Sequence, residues 1–210
     1  LLSSFGLNHR WRPRLVREVA KMRPASVADL ATGSGDVAFA LRGALPASVT
    51  IKGLDFCAPM LAIAEEKKER APEFASLCFV YGDLLNLPLA NESVDAITIS
   101  FGLRNAADRD RALREMHRVL RRPYGQIYVL EFSQPYRWFR RPYFFYLRHV
   151  LPQIAAWCTG DKSAYDYLCG SIENYPDCAA ISREIHAACF TEVRTIRLTL
   201  GTVALHIARV

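Results

Sequence analysis

An α/β fold is predicted, built on a doubly wound, mostly parallel sheet that closes on an antiparallel hairpin. Three observations predict it. Apolar runs at 26–31, 49–54, 77–81, 94–101 and 126–132 alternate with helical stretches, the pattern of βαβ units. A glycine turn, Gly33-Ser34-Gly35, follows the first run. The last stretch, 193–200 and 202–207 joined at Gly201, reads as a β-hairpin and breaks the βα repeat.

Taken in order, residues 5–12 are aromatic and basic, and Pro13 precedes a helical stretch from about 14 to 22. After the glycine turn, a helix beginning near Val37 carries Val37, Ala38, Leu41 and Leu45 on one face. The second strand ends in Asp55, and Pro59 opens a helix whose buried side is expected from Met60, Leu61 and Ala64. Its other side, 65–70, is a charged exposed stretch with Glu65 and Glu69 at i,i+4. The third strand stops at Gly82-Asp83. The fourth, nearly all apolar, is expected to be buried on both faces. Asp108 can cap a helix with the stripe Ala112, Leu113, Met116, Val119 and Leu120. Arg121 and Arg122 suit its C-terminal dipole, and Pro123 stops it. Residues 136–175 suggest two helices, and a further helix covers about 177–189.

Composition narrows the function classes. With 210 residues, 51% of them hydrophobic, the chain suits a single well-cored domain over 1–210. No run approaches the ~18 apolar residues that a bilayer span needs. No signal-peptide pattern opens the chain, which starts at Leu1 without Met, so upstream residues are expected. The six cysteines (Cys57, Cys78, Cys158, Cys169, Cys178, Cys189) are scattered with no C-x-x-C, which argues against a metal site. They read as reduced, mostly buried thiols of a cytosolic protein. Net charge is +6 and the pI about 9.1, which fits nucleic acid, anionic membrane or a merely basic surface.

The stretch Asp29-Leu30-Ala31-Thr32-Gly33-Ser34-Gly35-Asp36 joins strand to helix, as a nucleotide or cofactor loop does. Gly33 to Ala38 literally fits G-x-G-x-x-G/A, and Asp55 lies twenty residues beyond Gly35, so a nicotinamide dehydrogenase is one reading. Three carboxylates argue against it. Asp29 at the strand end could meet a cationic amine. Asp36 stands where a pyrophosphate would sit, and anion against anion is unfavourable. Asp83 could accept from an exocyclic amine. A ligand with ribose, adenine and a cation but no phosphate satisfies all three, and S-adenosylmethionine is such a ligand.

The chain resembles the C-methyltransferases of ubiquinone and menaquinone biosynthesis, S-adenosylmethionine enzymes with a Rossmann-like, class I sheet. Ser4-Phe5-Gly6 with His9-Arg10-Trp11-Arg12 is similar to that family's N-terminal motif, and Asp29 to Asp36 to its cofactor loop. The most specific match is Ile99-Ser100-Phe101-Gly102-Leu103-Arg104-Asn105. Ala112-Leu113, Arg118-Val119-Leu120, Leu130-Glu131-Phe132-Ser133, Tyr167-Leu168, Ser171-Ile172, Leu198-Thr199, Gly201 and Leu205-His206 follow in the family's order. Three departures stand out: Pro123-Tyr124-Gly125 replaces a two-glycine turn, Cys57 replaces a Ser or Asn cap, and an upstream Tyr-Asp motif is not in this chain.

The resemblance implies a cofactor site of Asp29, Gly33, Ser34, Gly35, Asp55, Phe56, Asp83, Leu84 and Ser100, and no metal. Asp55 would accept both ribose hydroxyls and Asp83 the adenine amine. The implied reaction is C-methylation of a polyprenylated quinol ring, demethylmenaquinol ahead of a benzoquinol; another small aromatic or lipid acceptor is the alternative. A cofactor-binding protein without catalysis is a third reading. A ring carbon becomes nucleophilic when a neighbouring hydroxyl, with a pKa near ~10, loses its proton. Alignment of ring and methyl can contribute ~7–11 kcal/mol. Arg104 is the candidate for stabilising the oxyanion and Asn105 for positioning the ring, since both follow the fourth strand at the sheet's carboxyl edge. His9, His149 and Asp161 are the candidates for a base.

Charge and rings concentrate in Tyr136-Arg137-Trp138-Phe139-Arg140-Arg141-Pro142-Tyr143-Phe144-Phe145-Tyr146-Leu147-Arg148. Residues 136–149 therefore suit a peripheral contact with an anionic membrane. RNA stacking and a buried pocket helix compete with that reading, and no nucleic-acid partner is expected. Residues 1–22 are then an arm or cap and 134–176 a helical insertion facing substrate or membrane. The expected location is cytoplasmic, peripheral on the inner face of the membrane. Family members are often dimers, which leaves a homodimer open.

Overall fold

Alternation along the strands sets the layers of the molecule. The computed structural model describes residues 8–150, 153 and 169–210. Five strands run parallel: β1 (Ser26–Leu30), β2 (Thr50–Asp55), β3 (Leu77–Tyr81), β4 (Ala96–Ser100) and β5 (Gln126–Phe132). β6 (Thr191–Leu198) and β7 (Val203–Arg209) form the closing hairpin, and β7 pairs antiparallel with β5. The order across the sheet is β3-β2-β1-β4-β5-β7-β6, the predicted architecture. It reverses between β1 and β4, and their carboxyl ends are where such a sheet binds ligands.

Tyr128, Leu130 and Phe132 of β5 join one core while Ile127 and Val129 join the other, as a period of two demands. The first core is completed by α1 (Asn8–Met22) and α2 (Asp36–Ala44) through Leu15, Val19, Val37 and Leu41. The second is completed by α4 (Arg109–Val119) and a late helix, Cys178–Ala187, through Leu113, Met116, Ile181 and Ile185. Asp108 caps α4 as predicted, accepting from the Arg111 N–H at 3.0 Å.

Several local expectations are corrected. α1 begins at Asn8 and carries Pro13 inside it, because burial of Trp11, Leu15, Val16 and Val19 outweighs the missing N–H. α3 (Ala58–Glu69) buries Ala64 but leaves Met60 and Leu61 half-exposed. Its charges pair as Glu65–Lys68 and Glu66–Arg70. α4 ends at Val119, so Arg121 and Arg122 lie past it and reach Asp95 at 2.7 Å and Glu92 at 3.8 Å. A formal carboxylate is the stronger partner for them than a helix end.

Of the 136–175 region, α5 (Arg137–Phe145) is followed by one wide π turn, Tyr146–Val150, and residues 169–173 are helical. Ser4-Phe5-Gly6, Asp161 and Tyr167-Leu168 lie outside the described residues, as does the side chain of His9. Cys57, Cys78, Cys169, Cys178 and Cys189 are free thiols, although Cys78 and Cys189 are exposed. No helix among the described residues is long and apolar enough to cross a membrane.

Candidate active site

The turn after β1 is shaped by its glycines. Gly33 and Gly35 have φ of +56° and +80°, the left-handed region that side chains disfavour. A Cβ on Gly35 would lie 2.7 Å from Phe39 Cε2 and 2.8 Å from Phe79 Cζ, so any larger residue would have to displace both rings as well as adopt the left-handed backbone. A Cβ on Gly33 would meet only Met60 Cε, at 3.5 Å; the space above the turn is open. Asp55 holds the turn to the end of β2. Its two oxygens accept from the Gly33 N–H at 2.7 Å and the Cys57 N–H at 2.8 Å. Each keeps a second lone pair.

A cavity of ≈ 240 Å³ opens over this turn. Asp29, Gly33, Ser34 and Ser100 line it, together with Trp11 and Arg12 from α1 and Phe101 after β4. Asp29 is 1% exposed. Its oxygens accept from Thr32 Oγ1 and Thr98 Oγ1, both at 2.6 Å. Burial raises its pKa to about 6, against the lowering effect of those two hydroxyls. A carboxylate held by neutral donors, with no salt bridge among the described residues, is prepared for a cation. The open cradle above Gly33 and this uncompensated anion fit a ligand with an ammonium group, as S-adenosylmethionine has.

Other predicted residues fall differently. Asp36 does not present a bare anion. Lys67 Nζ bonds one of its oxygens at 2.9 Å and Arg12 Nη2 the other at 3.0 Å. Partial burial acts to raise its pKa, but the two cations hold it below the usual carboxylate range. The repulsion expected against a pyrophosphate is thereby cancelled. Asp83 is exposed and its Oδ1 accepts from the Leu85 N–H at 2.9 Å, a turn-forming bond. Leu84 packs on the second core, and Phe56 is exposed beside Asp55. Asp55, Phe56, Asp83 and Leu84 lie outside the cavity's own lining.

Arg104 lies in a short 3-10 turn, Leu103–Asn105, after β4. Its Nη1 bonds Glu131 Oε1 at 2.9 Å and also donates to the Phe101 carbonyl. The Arg104 N–H reaches Glu131 Oε2 at 3.2 Å, and the guanidinium lies 5.2 Å from the Phe132 ring centroid. Glu131 is 1% exposed. Burial pushes its pKa up, offset in part by Arg104. Arg104 Nε is buried without a hydrogen-bond partner. Asn105 is exposed. Of the base candidates, His149 is exposed and packs at a tilt against Phe145, ring centroids 4.9 Å apart, outside the cavity lining.

Sequence reasoning did not single out Glu131, Thr98 or Arg12. A lone carboxylate or hydroxyl inside an otherwise apolar, doubly buried strand was the available signal for the first two. Among the described residues no group of three or more His, Cys, Asp or Glu could hold a metal ion.

A model of the ubiE/COQ5 methyltransferase family matches residues 1–209. A Thermus thermophilus protein named demethylmenaquinone methyltransferase is 41% identical over 207 residues, covering 98% of this chain and 92% of that protein. A Rubrivivax gelatinosus protein named ubiquinone/menaquinone biosynthesis C-methyltransferase UbiE is 40% identical over 206 residues, covering 98% and 78%. Among solved structures, a SAM dependent methyltransferase from Aquifex aeolicus is similar with a TM-score of 0.63 at 16% identity, over 92% of this chain and 88% of that one. YcgJ from Bacillus subtilis gives 0.66 at 17% identity, over 90% and 71%. These two likenesses establish the class I fold, and the family match sets the nicotinamide reading aside. The chain belongs to the ubiE/COQ5 methyltransferase family and is an S-adenosylmethionine-dependent C-methyltransferase.

Proposed function

We propose that this chain methylates a ring carbon of a polyprenylated quinol, demethylmenaquinol to menaquinol, with S-adenosylmethionine in the cavity over Gly33. The names of the relatives support the quinol class. The observation that carries the reading is the buried Arg104 Nε, an N–H with no partner. A buried donor left open costs about 1–3 kcal/mol, and Arg104 lies outside the cavity lining, so its side chain must turn outward for this N–H to take a substrate oxygen as acceptor. The cofactor supplies an electrophilic methyl group. Asp29 takes the ammonium of the cofactor, and the second lone pairs of Asp55 are free for ribose hydroxyls. Asp83, Leu84, Phe56 and Ser100 complete that site at the adenine and sugar end.

Arg104 donates to the quinol oxygen as its charge develops, and Glu131 fixes the guanidinium in that pose. Guanidinium keeps its proton, so Arg104 acts as a donor and never as the base. Asn105, exposed beside Arg104 and outside the cavity lining, orients the ring. The quinol reaches the site from the bilayer surface. α5 supports this: Tyr143 and Phe144 pack against the first core, while Arg137, Arg140 and Arg141 stand exposed beside Trp138, which is 70% exposed. Such a face suits anionic headgroups.

Methyl transfer from labelled cofactor to demethylmenaquinol and to a demethylated benzoquinol, run side by side, tests the reading. The expected result is label in the naphthoquinol at several times the benzoquinol rate. Label in neither would overturn the quinol assignment; preference for the benzoquinol would overturn the choice between rings.

A further inference from the structure

The cavity over the glycine turn carries charges of opposite sign on walls from different elements. Asp29 is on its β1 side and Arg12 comes from α1. The two are within electrostatic reach, since the Arg12 charge acts to lower the Asp29 pKa. Arg12 and Lys67 both sit on Asp36, which lines the cavity as well, so two cations share one carboxylate. Lys67 has no donor to spare. Its three N–H groups are matched by Asp36 Oδ1, Ser34 Oγ and the Ser34 carbonyl at 2.9, 2.9 and 3.1 Å. Arg12 has five N–H donors, and its bond to Asp36 uses one of them. Arg12 also lines the cavity, which Lys67 does not. The donors left over are therefore those of Arg12, on the cavity wall between Asp36 and Asp29.

The position of Arg12 is set by the fold. Trp11 Nε1 donates to Thr199 Oγ1 at 2.7 Å, pinning the start of α1 to the turn between β6 and β7. Further along the helix, buried Glu18 accepts from Lys21 and Arg194, both at 2.8 Å, and forms an ion pair with Arg14 at 3.1 Å. The Arg194 bond joins α1 to β6. A side chain on a helix tied down at two points can serve as a binding group with little ordering cost.

We propose that Arg12 binds the α-carboxylate of S-adenosylmethionine while Asp29 binds its ammonium, so that α1 reads the amino-acid end of the cofactor. The pairing matches a zwitterion: an anion hydrogen-bonded only by neutral donors faces the ammonium, and a cation with spare donors faces the carboxylate. An arginine fork suits a carboxylate better than a point-charge ammonium does. The proposal rests on the placement of the cofactor in this cavity.

Calorimetric titration of the whole chain with S-adenosylhomocysteine and with 5′-methylthioadenosine tests it, because the second ligand lacks the amino-acid end. Arg12→Gln should weaken S-adenosylhomocysteine about 10- to 100-fold, as for a lost charge-assisted bond, and change methylthioadenosine less than twofold. Asp36→Asn frees Arg12 and should leave S-adenosylhomocysteine binding equal or tighter. If Arg12→Gln weakens both ligands equally, or Asp36→Asn weakens binding as Arg12→Gln does, Arg12 is a latch on α2 and the proposal fails. A change below twofold for S-adenosylhomocysteine in Arg12→Gln also overturns it. Ser34→Trp, at a residue with ordinary backbone angles on the cavity wall, separates the underlying placement. A folded Ser34→Trp protein that binds both ligands normally shows that the cofactor sits elsewhere. Loss of both ligands there, with Arg12→Gln unaffected, removes Arg12 alone.

Discussion

Asp29 and Glu131 are carboxylates of equal burial on strands that flank β4, and they are satisfied in opposite ways. Asp29 takes two threonine hydroxyls and no salt bridge among the described residues. Glu131 takes a guanidinium and two backbone N–H groups, from Arg104 at 3.2 Å and Phe132 at 2.9 Å. Neutral donors orient a carboxylate without cancelling its charge, so Asp29 still attracts a cation from outside. An ion pair cancels the charge, so Glu131 has done its electrostatic work within the fold and serves to position Arg104. Burial alone therefore does not separate a binding carboxylate from a structural one; the charge of its partners does.

The largest break in this comparison comes from Arg104→Ala. It leaves Glu131 buried and uncompensated, and urea unfolding should show a loss of about 3–5 kcal/mol. Turnover should fall about 10²- to 10³-fold, with S-adenosylhomocysteine affinity within about threefold of the parent. The double variant Arg104→Gln, Glu131→Gln should recover much of the stability and none of the turnover. Equal loss of affinity and turnover would remove Arg104 from the chemistry.

Next in size is Asp29→Asn, which should weaken S-adenosylhomocysteine about 10- to 100-fold. The folded pKa of about 6 lies above the unfolded value of ~3.9. Stability contributed by the protonated form is thus fullest below pH ~4 and is lost as pH rises through about 6. Ligand binding runs the other way: affinity should fall as pH drops below about 6, when the carboxyl protonates and no longer holds an ammonium. A pH series of titrations should show this slope in the parent and a flat profile in Asp29→Asn.

Thr98→Val removes one of the two hydroxyls at similar shape. It should cost about 1–3 kcal/mol in thermal or urea unfolding and move the pH midpoint of binding upward, because the ionised form loses a donor. The smallest effect belongs to exposed charge. Arg140→Glu with Arg141→Glu should weaken binding to anionic vesicles by about 1 kcal/mol per arginine at low salt. Neutral vesicles should bind neither protein, and co-sedimentation indifferent to lipid charge would sink the membrane contact.

Much of this was legible from residues alone. β5 spans the predicted 126–132 without adjustment, and the α4 stripe and its Asp108 cap are as expected, because periodicity and capping are local. Gly35 was legible as a turn residue. The need for glycine there is doubled by Phe39 and Phe79, which only packing reveals. The start of α1 was placed after Pro13, a local signal for a helix beginning, whereas burial of Trp11 and Leu15 carries the helix back to Asn8. Asp36 was misjudged because its neutralising cations come from 24 and 31 positions away.

The sequence by itself determined the order of the elements, the hairpin that closes the sheet, and the glycine turn with Asp29 behind it. Hydrophobic period, turn chemistry and φ requirements act over a few residues, so a linear text carries them. Which carboxylates keep their charge, and which helix leans over the cavity, was decided only in three dimensions. Those outcomes depend on Arg104 meeting Glu131 across 27 positions, and on α1 carrying Arg12 to the turn after β1. Desolvation and Coulomb energy are summed over neighbours in space, and the fold alone chooses the neighbours.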